Sequence, residues 1–258
     1  MARFDGQTII VSGATGGFGS AMSLRFAEEG ANLVLTDMDE NSLNEFAESL
    51  PGPTATMAGD ISDEKLSEEL VKLAVSEFGR LDVAVNNAGI AQNFVKLHLL
   101  PSDEARRIMD IDVMAVFYAM KHQLTQMDRQ YAKTGKGGRI VNTASVAGIA
   151  GAPRLSVYAA AKHAVVGLTR SAAAEYARRD IRVNAVCPSF ARTAMVGDFL
   201  NMSPSSREEA EAEITRGVPM RRLASVDEVV GTILFAADPT NSFMTGQTLA
   251  VDGGITAI

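Results

Sequence analysis

The chain has 258 residues, a mass of 27.4 kDa and 47% hydrophobic residues; one domain of this length buries a large core, whereas two would leave modest halves. Charged residues make up 21%, which excludes a disordered polyelectrolyte or a coiled coil. The 24 Lys and Arg against 31 Asp and Glu give a net charge of −7, the wrong sign for a nucleic-acid binder, and the densest basic run, Lys133–Arg139 (KTGKGGR), is a glycine-rich loop.

Short β-branched runs alternate with longer segments of helical period. Gln7–Ser12 (QTIIVS) reads as a buried strand that enters the turn Ser12-Gly-Ala-Thr-Gly-Gly-Phe-Gly19, with a helix over Gly19–Glu29. Gly13, Gly17 and Gly19 permit a tight turn and let backbone N–H groups approach an anion with no Cβ in the way. The helix start adds free donors and a partial positive charge, so this strand–turn–helix predicts a pyrophosphate site. A P-loop is excluded, because Ser20 follows Gly19 and no Gly-Lys-Ser/Thr occurs there. The second strand, Ala31–Asp37, ends 18 positions after Gly19. A carboxylate at that point accepts hydrogen bonds from adenosine ribose hydroxyls and repels a 2′-phosphate. Met38 and Asp39 follow, so no adjacent cation offsets the repulsion and the expected cofactor is NAD(H), not NADP(H). The competing reading is that Asp37 merely caps the helix beginning near Glu40.

Further helices are predicted over Glu40–Ser49, Asp63–Phe78, Asp103–Met127, Val157–Arg178 and Val226–Ala237. Between them lie a weak strand, Thr54–Gly59, and strands over Leu81–Asn86, Gly138–Ala144, Ile181–Cys187 and Gln247–Val251. Ser62 and Ser102 precede acidic residues and are expected to satisfy free N–H groups at helix starts. Continuously apolar strands suit a parallel sheet covered on both faces. Their repeated alternation with helices predicts an α/β, doubly wound parallel sheet in a single domain spanning residues 1–258. Thr193–Arg222 breaks the alternation; it is expected to form one or two short helices in a substrate-lid insertion at about residues 193–222.

Ser145 ends the fifth strand, at the edge where such a sheet presents ligand-binding groups. Its hydroxyl can polarise a carbonyl oxygen. Tyr158 and Lys162 lie four apart, which stacks them on one helix face. An ammonium beside a phenol favours the phenolate and lowers its pKa from about 10, which suits Tyr158 to acid–base work. The alternative is an exposed polar pair.

These pieces together resemble the short-chain dehydrogenase/reductase family nearly end to end, and in the family's order. They are Gly13–Gly19, Asp37, Asp60-Ile61, Asn86-Asn-Ala-Gly89, Ser145, Tyr158-x-x-x-Lys162, Arg182-Val-Asn184, Pro188 with Thr193, and Thr245-Gly-Gln with Val251-Asp-Gly-Gly254. The resemblance implies a Rossmann fold and an NAD-dependent enzyme moving hydride between nicotinamide and a secondary alcohol or ketone. It implies Tyr158 as proton donor and acceptor, Lys162 as its modulator and a ribose ligand, and Ser145 as the partner of the substrate oxygen. Cofactor contacts are then expected from Gly13, Thr15, Gly17, Phe18, Gly19, Asp37, Asp60, Ile61, Asn87, Ala88, Gly89, Tyr158, Lys162, Pro188 and Thr193. Asp60 and Ile61 would flank the adenine, Asn86 to Gly89 would form the floor, and Thr193 with the backbone near Ala191 would hold the carboxamide. Two positions depart from the family pattern. Asp112, in Asp112-Val-Met-Ala-Val-Phe117, stands where the family has Asn, and would add charge near Lys162 and weaken its pull on Tyr158. Ser189 stands where Gly is common.

The same scaffold serves 3-oxoacyl-carrier-protein reductases and sugar dehydrogenases, which stay open as alternatives. Asp37 and the acidic balance count against the first. A non-catalytic nucleotide-binding regulator would be expected to lack part of the Ser-Tyr-Lys set, which is whole here. The expected substrate is a small molecule in a pocket built from Ala91–Leu97, Val146–Leu155 and Phe190–Leu200, mostly apolar but with Arg154 and Arg192; Met195 and Met202 fall in the expected lid.

The lone Cys187 precludes an internal disulfide and suits a reducing, cytoplasmic location. It reads as a small buried apolar residue. His98, His122 and His163 show no metal-ligand spacing with it, so no metal is expected. The apolar stretch near the N-terminus is too short for a signal peptide, and no run of about 20 apolar residues predicts a membrane span. Alanines around the helix after Tyr158, and Ile108, Val113, Val116, Phe117 and Met120 around its predecessor, offer more apolar surface than one sheet face needs. The family resemblance adds two kinds of subunit contact, so a homotetramer is expected.

Overall fold

A computed structural model describes residues 2–201 and 206–258, without the side chains of residues 198 and 199. Met202 lies outside the described residues. The strands are β1 (Thr8–Ser12), β2 (Asn32–Thr36), β3 (Thr54–Thr56), β4 (Val83–Asn86), β5 (Gly138–Thr143), β6 (Ile181–Pro188) and β7 (Thr248–Val251). They pair in parallel in the order β3-β2-β1-β4-β5-β6-β7.

Their unbroken hydrophobicity has a direct cause. Ile9 and Val11 enter a core on one face of the sheet, while Ile10 enters a second core on the other. Leu33 and Leu35 oppose Val34 in the same way, and Val83 and Val85 oppose Ala84. Successive side chains point to opposite faces, so a sheet covered twice needs apolar residues at every position. Each large side chain taken out of water in this way contributes roughly 1.5–3 kcal/mol.

Helices α1 (Gly17–Glu28) and α9 (Val226–Ala237) supply Met22, Phe26, Val230 and Ile233 to the first core. Across the sheet, α3 (Glu64–Phe78), α5 (Ala115–Thr134) and α6 (Ser156–Tyr176) supply Leu70, Met120 and Val165 to the second. Helix α2 (Glu40–Glu48) buries Leu43. The helix expected over Asp103–Met127 is interrupted. It consists of α4 (Ser102–Met109), a π turn (Asp110–Met114) and α5, which runs on to Thr134. The expected lid segment contains α7 (Ala194–Asn201) and α8 (Arg207–Thr215). Leu200, Ala210 and Leu223 form a small core of their own there, against Phe190, Val196 and Ile214. Among the described residues no helix is long and apolar enough to cross a membrane.

Two expected caps differ in detail. Asp63, not Ser62, caps α3 by accepting the Lys65 N–H, and the Ser62 hydroxyl turns to Asp60 instead. Ser102 is the first residue of α4, and Pro101 before it offers no side-chain acceptor. In both places a neighbouring residue occupies the capping position.

The middle of the sheet carries a buried amide network. Asn86 Nδ2 donates to Asn142 Oδ1 at 2.8 Å, Gln123 Nε2 donates to Asn86 Oδ1 at 2.8 Å, and Asn142 Nδ2 donates to Thr169 Oγ1 at 2.9 Å. These bonds tie β4 and β5 to α5 and α6. They also commit the buried Asn86 side chain to the interior of the sheet. Asn142→Ala leaves Asn86 short of a partner and opens a small void, so unfolding in urea should show a loss of about 2–4 kcal/mol. A change under 0.5 kcal/mol, the usual range for surface substitutions, would contradict the network's structural role.

Candidate active site

The site lies at the carboxyl edge of the sheet. After β1 the chain turns at Gly13, whose φ is +66°, and a Cβ there would stand 3.0 Å from Ala88 Cα. A Cβ on Gly19 would fall 1.8 Å from the Gly13 carbonyl oxygen, so no other residue fits this turn. Helix α1 then begins without a side-chain cap and without an acidic residue in its first turn. Its N–H groups and positive dipole end are left for an anion. Gly17 faces Thr193, whose Cγ2 lies 3.1 Å from where a Cβ would be.

Asp37 follows β2. Its Oδ2 accepts the Thr15 N–H at 2.9 Å and the Thr15 hydroxyl at 2.6 Å, while Oδ1 accepts the Met38 N–H at 2.8 Å. The carboxylate is therefore aimed at the glycine turn. Asp39 caps α2 through the Ser42 N–H, so Asp37 is not consumed as a cap. Asp60 is exposed and accepts from Ser62, and Ile61 beside it packs on the second core.

After β4 the chain is sewn to β1. The N–H groups of Asn87 and Ala88 donate to Ser12 Oγ at 3.0 and 3.2 Å, and Asn87 Nδ2 donates to the carbonyls of Ser12 and Gly13. Gly89 comes next. A Cβ there would crowd Asp112 Oδ1 at 3.1 Å and Lys162 Nζ at 3.2 Å.

A cavity of about 410 Å³ opens beside these turns. It brings together Phe18, Asn87, Gly89, Ser145, Tyr158, Lys162, Pro188 and Thr193, while Thr15, Asp37, Asp60 and Ile61 lie beyond its walls. Ser145 leads from β5 into a 3-10 turn, where its Oγ accepts the Ala147 N–H at 3.2 Å and reaches the Pro188 carbonyl at 3.5 Å. Tyr158 stands in the first turn of α6. Lys162, one turn on, is buried with Nζ 5.4 Å from the Tyr158 ring centroid and 3.5 Å from the Thr143 carbonyl. Asp112, fully buried on the π turn, brings Oδ2 to 3.4 Å from the same Nζ. Burial disfavours the Lys162 ammonium, but Asp112 and then Tyr158 outweigh it and hold it above its ordinary value. Cys187 is buried, and burial pushes its thiol up to about 11, so it stays protonated.

The sequence matches the family described as Enoyl-(Acyl carrier protein) reductase over residues 13–256. It is 39% identical over 258 residues to the cis-4-hydroxycyclohexanecarboxylate dehydrogenase of Sinomonas cyclohexanicum, covering 99% of this chain and 98% of that one. It is 36% identical over 256 residues to the 3-oxoacyl-[acyl-carrier-protein] reductase FabG of Thermotoga maritima, covering 98% and 99%. Among solved structures it is similar to an NAD+-bound xylitol dehydrogenase, with a TM-score of 0.89, 33% identity, and 98% and 100% of the two chains covered. It is equally similar to ElxO with NADP bound, with a TM-score of 0.89, 29% identity, and 98% and 99% covered. The chain belongs to the short-chain dehydrogenase/reductase family.

As a short-chain dehydrogenase/reductase it is a nicotinamide-dependent oxidoreductase acting on CH–OH groups. The glycine turn fits such a dinucleotide, since α1 starts there with no side-chain cap and no acidic residue in its first turn, leaving N–H groups for a phosphate. Three features escape the sequence reading. Gln92, 3% exposed, accepts the N–H groups of Val157 and Tyr158 on Oε1 at 2.9 and 3.0 Å and donates from Nε2 to the Arg154 carbonyl at 3.0 Å. It thus caps α6, which has no side-chain cap of its own at Leu155. No local signal marks it, because its partners lie more than 60 residues away. Neither Arg154 nor Arg192 lines the cavity, contrary to expectation. The Arg154 guanidinium donates to the Phe94 carbonyl, and Arg192 pairs with Glu211 at 3.1 Å on the exposed surface. Finally, Ile255 and Ile214 add apolar wall from the C-terminal segment and α8.

Proposed function

We propose that the chain is an NAD(H)-dependent dehydrogenase of a neutral, largely apolar secondary alcohol, with Tyr158, Lys162 and Ser145 as its catalytic residues. The observation that carries this reading is the cavity itself. Its polar groups gather around Tyr158, Ser145 and Lys162, and Ile90, Phe94, Leu155, Met195, Val196 and Ile214 form much of the remaining wall. Among the described lining residues the charged side chain is Lys162, which is committed to Asp112. A substrate carboxylate or phosphate would find no free partner there, whereas a cyclohexanol-sized ring would be buried well.

A bound nicotinamide would supply the hydride acceptor for the carbinol carbon and, in the reverse direction, the hydride donor for the ketone. The chain's residues handle the proton. With the alcohol oxygen between Ser145 Oγ and the Tyr158 oxygen, the tyrosinate takes the hydroxyl proton as the C–H bond breaks, leaving the ketone. Lys162 stabilises the tyrosinate electrostatically, and Ser145 donates a hydrogen bond to the oxygen as its charge changes. In reduction each transfer reverses. The α7–α8 segment, with its own small core and Met195, Val196 and Ile214 on the cavity, serves as the lid over this chemistry.

Asp37 supports NAD(H) over NADP(H). Its fixed carboxylate offers acceptors to ribose hydroxyls, and Met38 and Asp39 add no cation for a 2′-phosphate. The single buried thiol suits a reducing compartment such as the cytoplasm. A tetramer is supported by two sets of exposed apolar side chains. Met109 on α4, Met114 on the π turn and Phe117 on α5 are exposed, although Ile108, Val116 and Met120 there are buried in the chain itself, and Phe235, Phe243 and Ile258 lie exposed toward the C-terminus.

Tyr158→Phe tests the mechanism. Turnover of a panel of secondary alcohols, polyols and 3-hydroxyacyl thioesters should fall by about 10²–10⁴-fold while NADH affinity is retained. Near-normal turnover would remove Tyr158 from the mechanism, and a preference for polyols or thioesters would overturn the substrate class. Asp37→Ser should weaken NAD+ binding by about tenfold or more and raise relative use of NADP+, read from kcat/KM for both. An unmodified protein that favours NADP+ would contradict the role given to Asp37. Light scattering should give four times the 27.4 kDa chain mass; a monomer mass would overturn the assembly, and a dimer mass would leave one of the two contacts.

A further inference from the structure

Asp112 is an unusual occupant of this site. The π turn aims it inward, where no part of it is exposed. Its Oδ1 accepts the Ile90 N–H at 2.8 Å, and its Oδ2 has no hydrogen-bond donor but faces the Lys162 ammonium at 3.4 Å. Burial pushes the Asp112 carboxyl above its ordinary range, and Lys162 and the Ile90 N–H offset part of that push. Lys162 in turn is held above its ordinary value by this carboxylate.

The groups facing the pair can be counted. Helix α6 presents Lys162 and Tyr158, β5 presents the Thr143 carbonyl, β6 presents the protonated Cys187 thiol, and the turn after β4 presents a backbone N–H. The pair carries no net charge, with the ammonium toward Tyr158 and the carboxylate behind it. The two redox states of a nicotinamide differ by one unit of charge at the ring. That ring must meet the carbinol carbon whose oxygen sits on Tyr158, so its charge forms in the cavity that Lys162 lines. A lone ammonium there would repel the oxidised ring and favour the neutral reduced one.

We propose that Asp112 is a positioning residue that neutralises Lys162, so that the site accepts the cationic oxidised nicotinamide and is set toward alcohol oxidation. This rests on the dehydrogenase reading above. It assigns Asp112 a function a neutral amide would not perform, although an amide could still accept the Ile90 N–H.

The test is the ratio of dissociation constants for NAD+ and NADH, measured by NADH fluorescence titration and NAD+ competition. Contacts to the adenosine and pyrophosphate are common to both forms and cancel. Asp112→Asn keeps an oxygen for Ile90 and removes the charge. The ratio should rise by roughly tenfold, as expected for a unit charge several ångströms away in a partly polar interior, with NAD+ the weakened ligand. An unchanged ratio in a variant of normal thermal stability overturns the proposal and leaves Asp112 a structural acceptor. Should that variant not fold, the unmodified protein gives the answer across pH. Lowering pH through the raised Asp112 range protonates the carboxylate and should raise the same ratio, whereas a flat ratio down to the acid limit of the fold overturns the proposal. Absence of binding by both dinucleotides would defeat the dehydrogenase reading itself, and this proposal with it.

Discussion

A parallel ladder cannot be closed by tight hairpins, so each strand must be followed by a crossover before the next can pair. All the turns that leave the strands' carboxyl ends therefore collect on one edge. Here that edge receives the glycine turn after β1, Asp37 after β2, the Asn87–Gly89 turn after β4, Ser145 after β5 and Pro188 at the end of β6. Residues spread over some 175 positions of sequence meet because the strand direction leaves their loops no other place to go. The β1–β4 junction sits at the centre of the strand order, where the chain changes direction across the sheet, and this is the point where an open α/β sheet has a crevice.

What fills the sheet's interior keeps this edge rigid. Apolar layers on both faces supply most of the burial, but they are non-directional and could tolerate a slip. The amide network of Asn86, Gln123, Asn142 and Thr169 is directional and admits one register between β4 and β5. Arg182 and Asn184 do similar work at β6, donating to the Met244 carbonyl from successive inward positions. Strand ends placed in this way fix the positions of Ser145 and of the turns after β1 and β4.

Much of this was legible in the residues. Strands buried on both faces announce themselves by unbroken apolar runs, and the glycine turn and the Tyr158–Lys162 spacing are local patterns with a local geometric meaning. The limits were equally physical. A capping position can pass to a neighbour, as it does from Ser62 to Asp63, because several polar residues compete for the same N–H groups. The π turn at Asp110–Met114 contains neither Gly nor Pro, the residues that would mark a break in a helix. Asn86 and Asn87 look equivalent in a run of two, yet one lies in the sheet and the other at its edge. The directions taken by Arg154 and Arg192 were set by the Phe94 carbonyl and Glu211, which no spacing rule connects to them.

The segment from Asn87 to Gln92 explains how these parts act together. It takes hold of the glycine turn through Ser12 and Gly13, of the Lys162 counter-charge through the Ile90 N–H and Asp112, and of the helix carrying Tyr158 through Gln92. Gly89 lets the backbone run close to the buried ion pair, since a Cβ would crowd both of its members. A shift of this segment would move the glycine turn, Asp112 and the start of α6 together. On the mechanism proposed above, hydride and proton transfer need their donors and acceptors aligned at once, and this six-residue connection bonds to the glycine turn, to Asp112 and to the start of α6.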